Sequence, residues 1–238
     1  MALARKAFAR PALLSQADLD PLRGIVHDDA LDYTLVLGSF HFINRIADLL
    51  HVPLEGVPRP LRGFELLRRL TVRLASIIMG RMDLSNRAYA ISYEEALKNL
   101  TPLFNRTMGR DPEEDFAPLR SRPKIIEAFQ LALEERETLS SLDGGVHARI
   151  HRAVEAALPK NMEEAEGFHD RPDDPMEAFA FVGTRYAYRT TRDMIDALRG
   201  DGYDDLAILD LAMAVAEANQ WARTHRLLGL RPELFYVG

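Results

Sequence analysis

The sequence contains no cysteine among its 238 residues. This absence excludes disulfide bonds, thiolate metal sites, iron–sulfur clusters and every enzyme mechanism that depends on a thiol. A block of basic residues is also missing, and 36 acidic against 30 basic residues give a formal charge of −6. Because nothing in the chain is suited to neutralising a run of phosphates, we expect no nucleic-acid partner.

Long apolar runs are missing as well. The longest, such as residues 35–40, are far shorter than the roughly 20 residues that a helix needs to cross a bilayer. The basic N-terminal stretch is interrupted too often to form the apolar core of a signal peptide. We therefore predict a cytoplasmic protein with no membrane partner.

Apolar residues recur every three or four positions, and alternating β-branched runs are almost absent. This pattern predicts an all-α fold, a multi-helix bundle in which residues 1–13 form a tail and residues 14–238 a single all-helical domain. Predicted helices lie near 15–24, 28–51, 60–82, 92–107, 123–140, 145–158, 175–199 and 203–229. Ser92 followed by Glu95 predicts a helix start, and proline with acidic clusters predicts long loops at 108–123 and 158–175.

Two segments of the chain, 14–56 and 190–233, are predicted to be repeated units. Both contain the tripeptide Leu-Arg-Gly, and beyond it the register continues without gaps after a length difference of two residues. Arg45 then aligns with Arg223, each four residues before a Leu-Leu pair. Each copy predicts a short helix, a glycine turn and a long amphipathic helix. We therefore expect the two long helices to pair about a pseudo-twofold axis.

A short helix, a Leu-Arg-Gly turn and a long helix ending in NRIADLL, residues 44–50, resemble the alkylhydroperoxidase D/carboxymuconolactone decarboxylase superfamily. The resemblance covers about 14–56 and 175–233, and loosely 125–158. Residues 57–124 match nothing in that family. The resemblance implies an all-helical fold of the alkylhydroperoxidase D-like type.

The peroxidase branch of that family works through a Cys-x-x-Cys motif, which this chain does not have. On alignment with the matching helix of the decarboxylase branch, Glu217 stands at the first cysteine position and Gln220 three residues later. Trp221 and His225 follow. The same helix also resembles the closing, non-catalytic helix of the family, which the repeat favours. The resemblance thus implies a degenerate member without thiol peroxidase activity.

On the closing-helix interpretation, residues 140–158 occupy the place of the cysteine-bearing helix. His147, His151 and Glu155 follow one another at steps of four there, on one stripe of a helix. Two histidines and a carboxylate in this register can bind Zn²⁺ or another divalent metal. The alternative is a partly wetted stripe beside a buried apolar face.

A second group of candidate residues comes from the two long helices. If these helices pair, Glu217, His225 and His41 can face one cleft as catalytic acid–base residues. Arg45, Arg223 and Trp221 are then predicted to bind the ligand. The alternative is structural, with each arginine anchoring a carboxylate or a helix end.

The leading functional prediction is an alkylhydroperoxidase D-like protein that binds a small anionic or hydrophobic ligand and needs no cofactor. One alternative is a decarboxylase-like acid–base enzyme, and another is an oligomeric structural or interaction module. We also expect a homo-oligomer, because the predicted helix 60–82 presents more apolar surface than one small domain covers easily.

Overall fold

The computed structural model describes residues 2–23, 30–51, 91–166 and 171–235. These residues form eleven α-helices and no strand, which confirms the all-α fold class. The helices are α1 (Ala2–Ala9), α2 (Asp20–Arg23), α3 (Ala30–Leu49), α4 (Tyr93–Met108), α5 (Glu113–Phe116), α6 (Pro123–Leu139), α7 (Gly144–Ala157), α8 (Met162–Glu166), α9 (Pro175–Arg185), α10 (Arg192–Gly200) and α11 (Asp205–Leu228). The predicted helix 60–82 lies outside the described residues.

Side-chain caps fix the starts of several helices. Ser92 accepts a hydrogen bond from the backbone N–H of Glu95, as its spacing predicted. Asp143, Asp174 and Asp204 cap α7, α9 and α11 in the same way. Each cap satisfies one of the four backbone donors left free at a helix N-terminus. The observed starts of these four helices therefore agree closely with the predicted starts.

The predicted helix 175–199 is wrong, because the structure divides it into α9 and α10. Tyr186 leaves the helical conformation, and the Thr190 hydroxyl donates to the carbonyl of Ala187 at 2.7 Å. Threonine hydroxyls compete with helical backbone hydrogen bonds in this way. Apolar residues continue at helical spacing on both sides of the break, so the periodicity did not reveal it.

The structure also contradicts the predicted N-terminal tail. Residues 2–9 form helix α1, and its Leu3 and Ala7 are buried in an apolar cluster with Leu14, Leu19 and Leu227. The alternation of alanine with basic residues concealed this amphipathic face. Residues 2–13 thus pack against the rest of the fold.

The centre of the fold is α11, which packs most extensively against α3 and also against α7 and α9. Its buried residues belong to all three apolar clusters of the described chain. A helix buried on most sides normally carries few polar residues. The polar residues of α11 are therefore the natural candidates for a functional role.

Close approach at two glycines brings the helices around α11 together. A Cβ atom at Gly38 of α3 would lie 2.7 Å from Thr224 Cγ2, and one at Gly183 of α9 would lie 2.7 Å from Val215 Cγ1. Both distances are shorter than side chains tolerate. Helices α3 and α9 therefore reach α11 through positions without a side chain.

The two long helices of the predicted repeat, α3 and α11, pack against each other as expected. The short helices that precede them differ, since α10 has nine residues and α2 only four. The pairing follows the prediction, whereas the repeat itself stays a prediction.

Candidate functional site

A cavity of about 520 Å³ lies among helices α3, α6, α7 and α11. Its walls are mostly apolar, with a few polar side chains. The residues that line it are Ser39, Phe42, Ile125, Ala128, Ala132, Ser140, His147, Asp210, Met213, Ala214, Glu217, Gln220 and Trp221. An apolar cavity of this volume with a few polar groups is typical of a small-molecule site.

One face of α11 forms the longest wall of this cavity. Asp210, Ala214, Glu217 and Trp221 follow at steps of three or four, so they share one side of the helix. The Trp221 ring is held edge-to-face against Phe129 of α6, with 5.9 Å between ring centroids. An aromatic ring packed in this way offers a fixed apolar surface to a ligand.

Two hydrogen-bonded pairs contribute polar atoms to the cavity. Ser140 Oγ lies 3.0 Å from His147 Nε2, and it accepts a hydrogen bond from the Leu142 N–H. Since the hydroxyl is already an acceptor there, its own proton is available to the imidazole. Asp210 accepts hydrogen bonds at 2.6 and 2.7 Å from the hydroxyl and N–H of Ser141.

The charge of the cavity wall has one sign. Glu217 and Asp210 supply carboxylates, and no lysine or arginine occurs among the residues that line the cavity in the described part of the chain. Walls of low polarity strengthen the attraction between such carboxylates and a cationic group. The cavity therefore favours a neutral or cationic ligand over an anionic one.

The structure contradicts the predicted metal site at His147, His151 and Glu155. No group of three or more His, Asp or Glu residues that suits a metal ion occurs in the described ranges. His147 interacts with Ser140 at the cavity, whereas Glu155 turns to α11. The predicted wetted stripe is wrong as well, because His147 and His151 are buried.

Glu155 instead holds two side chains of α11. Its carboxylate accepts from Arg226 Nη2 at 2.7 Å, and its Oε1 lies 3.0 Å from His225 Nε2. His225 Nδ1 faces the carbonyl of Leu230 at 3.2 Å. Burial raises the pKa of Glu155, but the hydrogen bonds from His225 and Arg226 outweigh it, so the pKa lies below its ordinary value.

This cluster joins α7 to the C-terminal end of α11 and does not line the cavity. His225 lies eight residues beyond Glu217, or about 12 Å along the helix axis. Glu217 and His225 therefore do not face one cleft as the sequence predicted. The favoured role of His225 and Glu155 is to fix α7 on α11.

His41, Arg45 and Arg223 form a third cluster, which lies at the contact of α3, α9 and α11 and outside the cavity lining. Burial and the two arginine charges lower the pKa of His41 to about 2. A ring with so low a pKa does not exchange protons near neutral pH. His41 therefore does not fit the predicted acid–base role.

The two arginines have different partners. Arg45 Nη1 donates to the carbonyl of Gly183, one of the last four carbonyls of α9. Arg223 Nη1 donates to the carbonyl of Asn219 at 3.2 Å and to its side-chain Oδ1 at 2.6 Å. Arg45 thus meets a helix end, as the structural alternative proposed, whereas Arg223 does not.

Several cavity residues did not stand out in the sequence. Ser140 and Asp210 lie on different elements, and Ile125, Ala128 and Ala132 come from α6, which sequence analysis linked to no site. The steps of three and four from Asp210 to Trp221 were the one signal that pointed to a shared helix face. Which helix covers that face depends on tertiary packing.

No family model, curated protein or solved structure matches this chain. The resemblance to the alkylhydroperoxidase D-like proteins therefore rests on the sequence pattern quoted above. The function is argued from the geometry of the chain itself.

Proposed function

We propose that this chain is a ligand-binding helical protein. Its cavity holds a small, mainly apolar molecule that carries an amine or a hydroxyl group. The supporting observation is the cavity of about 520 Å³ beside Trp221, with apolar walls and the Glu217 carboxylate among them. This proposal keeps the predicted pocket between α3 and α11 and assigns it a ligand of different charge.

The chemistry of the walls supports this ligand class. Phe42, Ile125, Met213 and Trp221 offer apolar and aromatic contacts to the body of the molecule. Glu217 and Gln220 offer hydrogen-bond acceptors to its polar group. Binding, and not catalysis, is proposed because His225 and His41 lie in other clusters than Glu217.

The proposal is tested through the fluorescence of Trp221, which is the one tryptophan of the sequence. Three probes of one shape, benzylamine, benzyl alcohol and benzoate, are titrated separately into the protein. We expect benzylamine to change the emission at the lowest concentration and benzoate at the highest, because a carboxylate of the wall repels benzoate. Equal responses to all three, or none, contradict the proposal.

Two variants locate the binding. Ala132→Phe fills the cavity and should abolish the response to every probe. Glu217→Gln keeps the shape of the side chain and should weaken the binding of benzylamine about tenfold or more, because the amine loses a charged hydrogen-bond partner. The affinity for benzyl alcohol should change little. Glu127→Gln, on an exposed site of α6, is the matched control and should leave all affinities unchanged. Thermal unfolding of each variant checks that it is folded.

A further inference from the structure

Arg45 of α3, which is half-buried, and Arg223 of α11, which is buried, have few acceptors. Arg223 is 1% exposed, and its two observed hydrogen bonds both come from Nη1 and go to neutral oxygens of Asn219. The Nε atoms of Arg223 and Arg45 are buried and have no hydrogen-bond partner among the described residues. A buried donor without a partner lowers stability, so two such donors at one contact point to a missing acceptor.

The two guanidinium groups converge on one place in the fold. Arg45 bonds to the carbonyl of Gly183 on α9. Arg223 bonds to Asn219, whose Nδ2 donates to the hydroxyl of the next residue of α9, Thr184, at 3.1 Å. Burial lowers the pKa of both His41 and Arg223, and the nearby arginine charges lower them further, Arg45 acting on both and Arg223 on His41.

Negative charge around this contact is scarce. Asp48 and Glu155 attract Arg45 and Arg223 electrostatically, but no described carboxylate bonds to either guanidinium. Glu155 is engaged by Arg226 and His225. The end of α9 carries only about half a negative charge. Since arginine stays protonated near neutral pH, the buried charge of Arg223 and the half-buried charge of Arg45 face less than their equivalent in negative charge.

We infer that Arg45 and Arg223 hold a compact monovalent anion, of the size of chloride or a small carboxylate, between α3, α9 and α11. The anion accepts hydrogen bonds from the two Nε–H groups and balances the buried charge. Its role is to stabilise the packing of α3 on α11, and the site is separate from the cavity beside Trp221.

Anion-dependent unfolding tests this inference. The melting temperature is measured at pH 7.5 and constant ionic strength while sodium gluconate is replaced by sodium chloride or sodium acetate. When the concentration of an anion that binds exceeds its dissociation constant, each further tenfold rise in that concentration raises the ratio of folded to unfolded protein tenfold. We expect this rise for chloride and acetate, and its loss in Arg45→Gln and Arg223→Gln. Arg106→Gln, an exposed site, is the control and should keep it.

A direct measurement does not depend on the variants. Crystals of the unaltered protein grown in sodium bromide should show anomalous signal from bromide within hydrogen-bonding distance of the Arg45 and Arg223 Nε atoms. Bromide found only at the surface overturns the inference, and so does stabilisation by chloride that persists in both arginine variants. The benzylamine titration is independent, so either proposal can fail while the other holds.

Discussion

One side chain of the α3–α11 contact, His41, makes the stability of this protein depend on pH. Burial and the neighbouring charges of Arg223 and Arg45 strongly disfavour the imidazolium form of His41 in the folded state, so its pKa falls to about 2. In the unfolded chain the same ring has its ordinary pKa of about 6.5. Between these values the unfolded state binds the extra proton, and stability falls as the pH decreases.

We predict that His41 alone lowers the free energy of unfolding by about 2 kcal/mol between pH 7.5 and pH 5.0. His41→Gln should remove this part of the pH dependence, because glutamine does not titrate. Urea unfolding at the two pH values measures it. His51→Gln, an exposed site outside the cluster, controls for the loss of a histidine. An equally steep decrease of stability in His41→Gln would contradict the low pKa of the ring.

At the scale of helices, contact distances at glycines set how α3 and α9 pack on α11. Gly183 lies against Val215 and Leu49, whereas a Cβ atom at Gly200 would have no neighbour within 4 Å. Arg45 also bonds to the Gly183 carbonyl. A shift of α9 at this point therefore affects both the apolar packing and the arginine cluster.

We predict that Gly183→Ala destabilises the protein, because the extra methyl group overpacks the contact with Val215 at a cost of about 1–3 kcal/mol. The gain in helix propensity, about 0.5–1 kcal/mol, offsets only part of this. Gly200→Ala is the matched control and should be neutral or slightly stabilising. The midpoints of urea unfolding of the two variants are compared. Equal midpoints would contradict the prediction, because they would show that the contact at Gly183 relaxes to accept the methyl group.

At the scale of the whole molecule, two exposed apolar stripes lie on the paired long helices. Val36, Phe40 and Ile43 of α3 are each more than half exposed, and α11 exposes Leu206 and Leu209. Stripes of this kind are typical of association surfaces. They support the predicted homo-oligomer, which stays a prediction. No helix in the described ranges is long and apolar enough to cross a membrane.

We predict at least a dimer in light scattering at tens of micromolar, against 26.9 kDa for the single chain. Phe40→Glu should shift the mass toward that of one chain, because a buried carboxylate in an apolar interface is unfavourable. Tyr188→Glu changes an exposed aromatic residue elsewhere and should leave the mass unaltered. A single-chain mass for the unaltered protein contradicts the prediction.

The sequence by itself determined the helical class, most helix boundaries and the absence of thiol chemistry. Helical periodicity and capping residues such as Ser92 are local, so they can be read along the chain. Missing cysteines need no structure to interpret. The pairing of α3 with α11 also followed from sequence, because two similar amphipathic helices bury their apolar faces most simply against each other.

The tertiary structure alone decided which polar residues share a site. Glu217 and His225 lie on one helix, yet packing turned Glu217 to a cavity and His225 to Glu155. The helical spacing gives each side chain a direction, but the neighbour in that direction comes from a distant part of the chain. The same reason separated His147 from Glu155 and removed the predicted metal site.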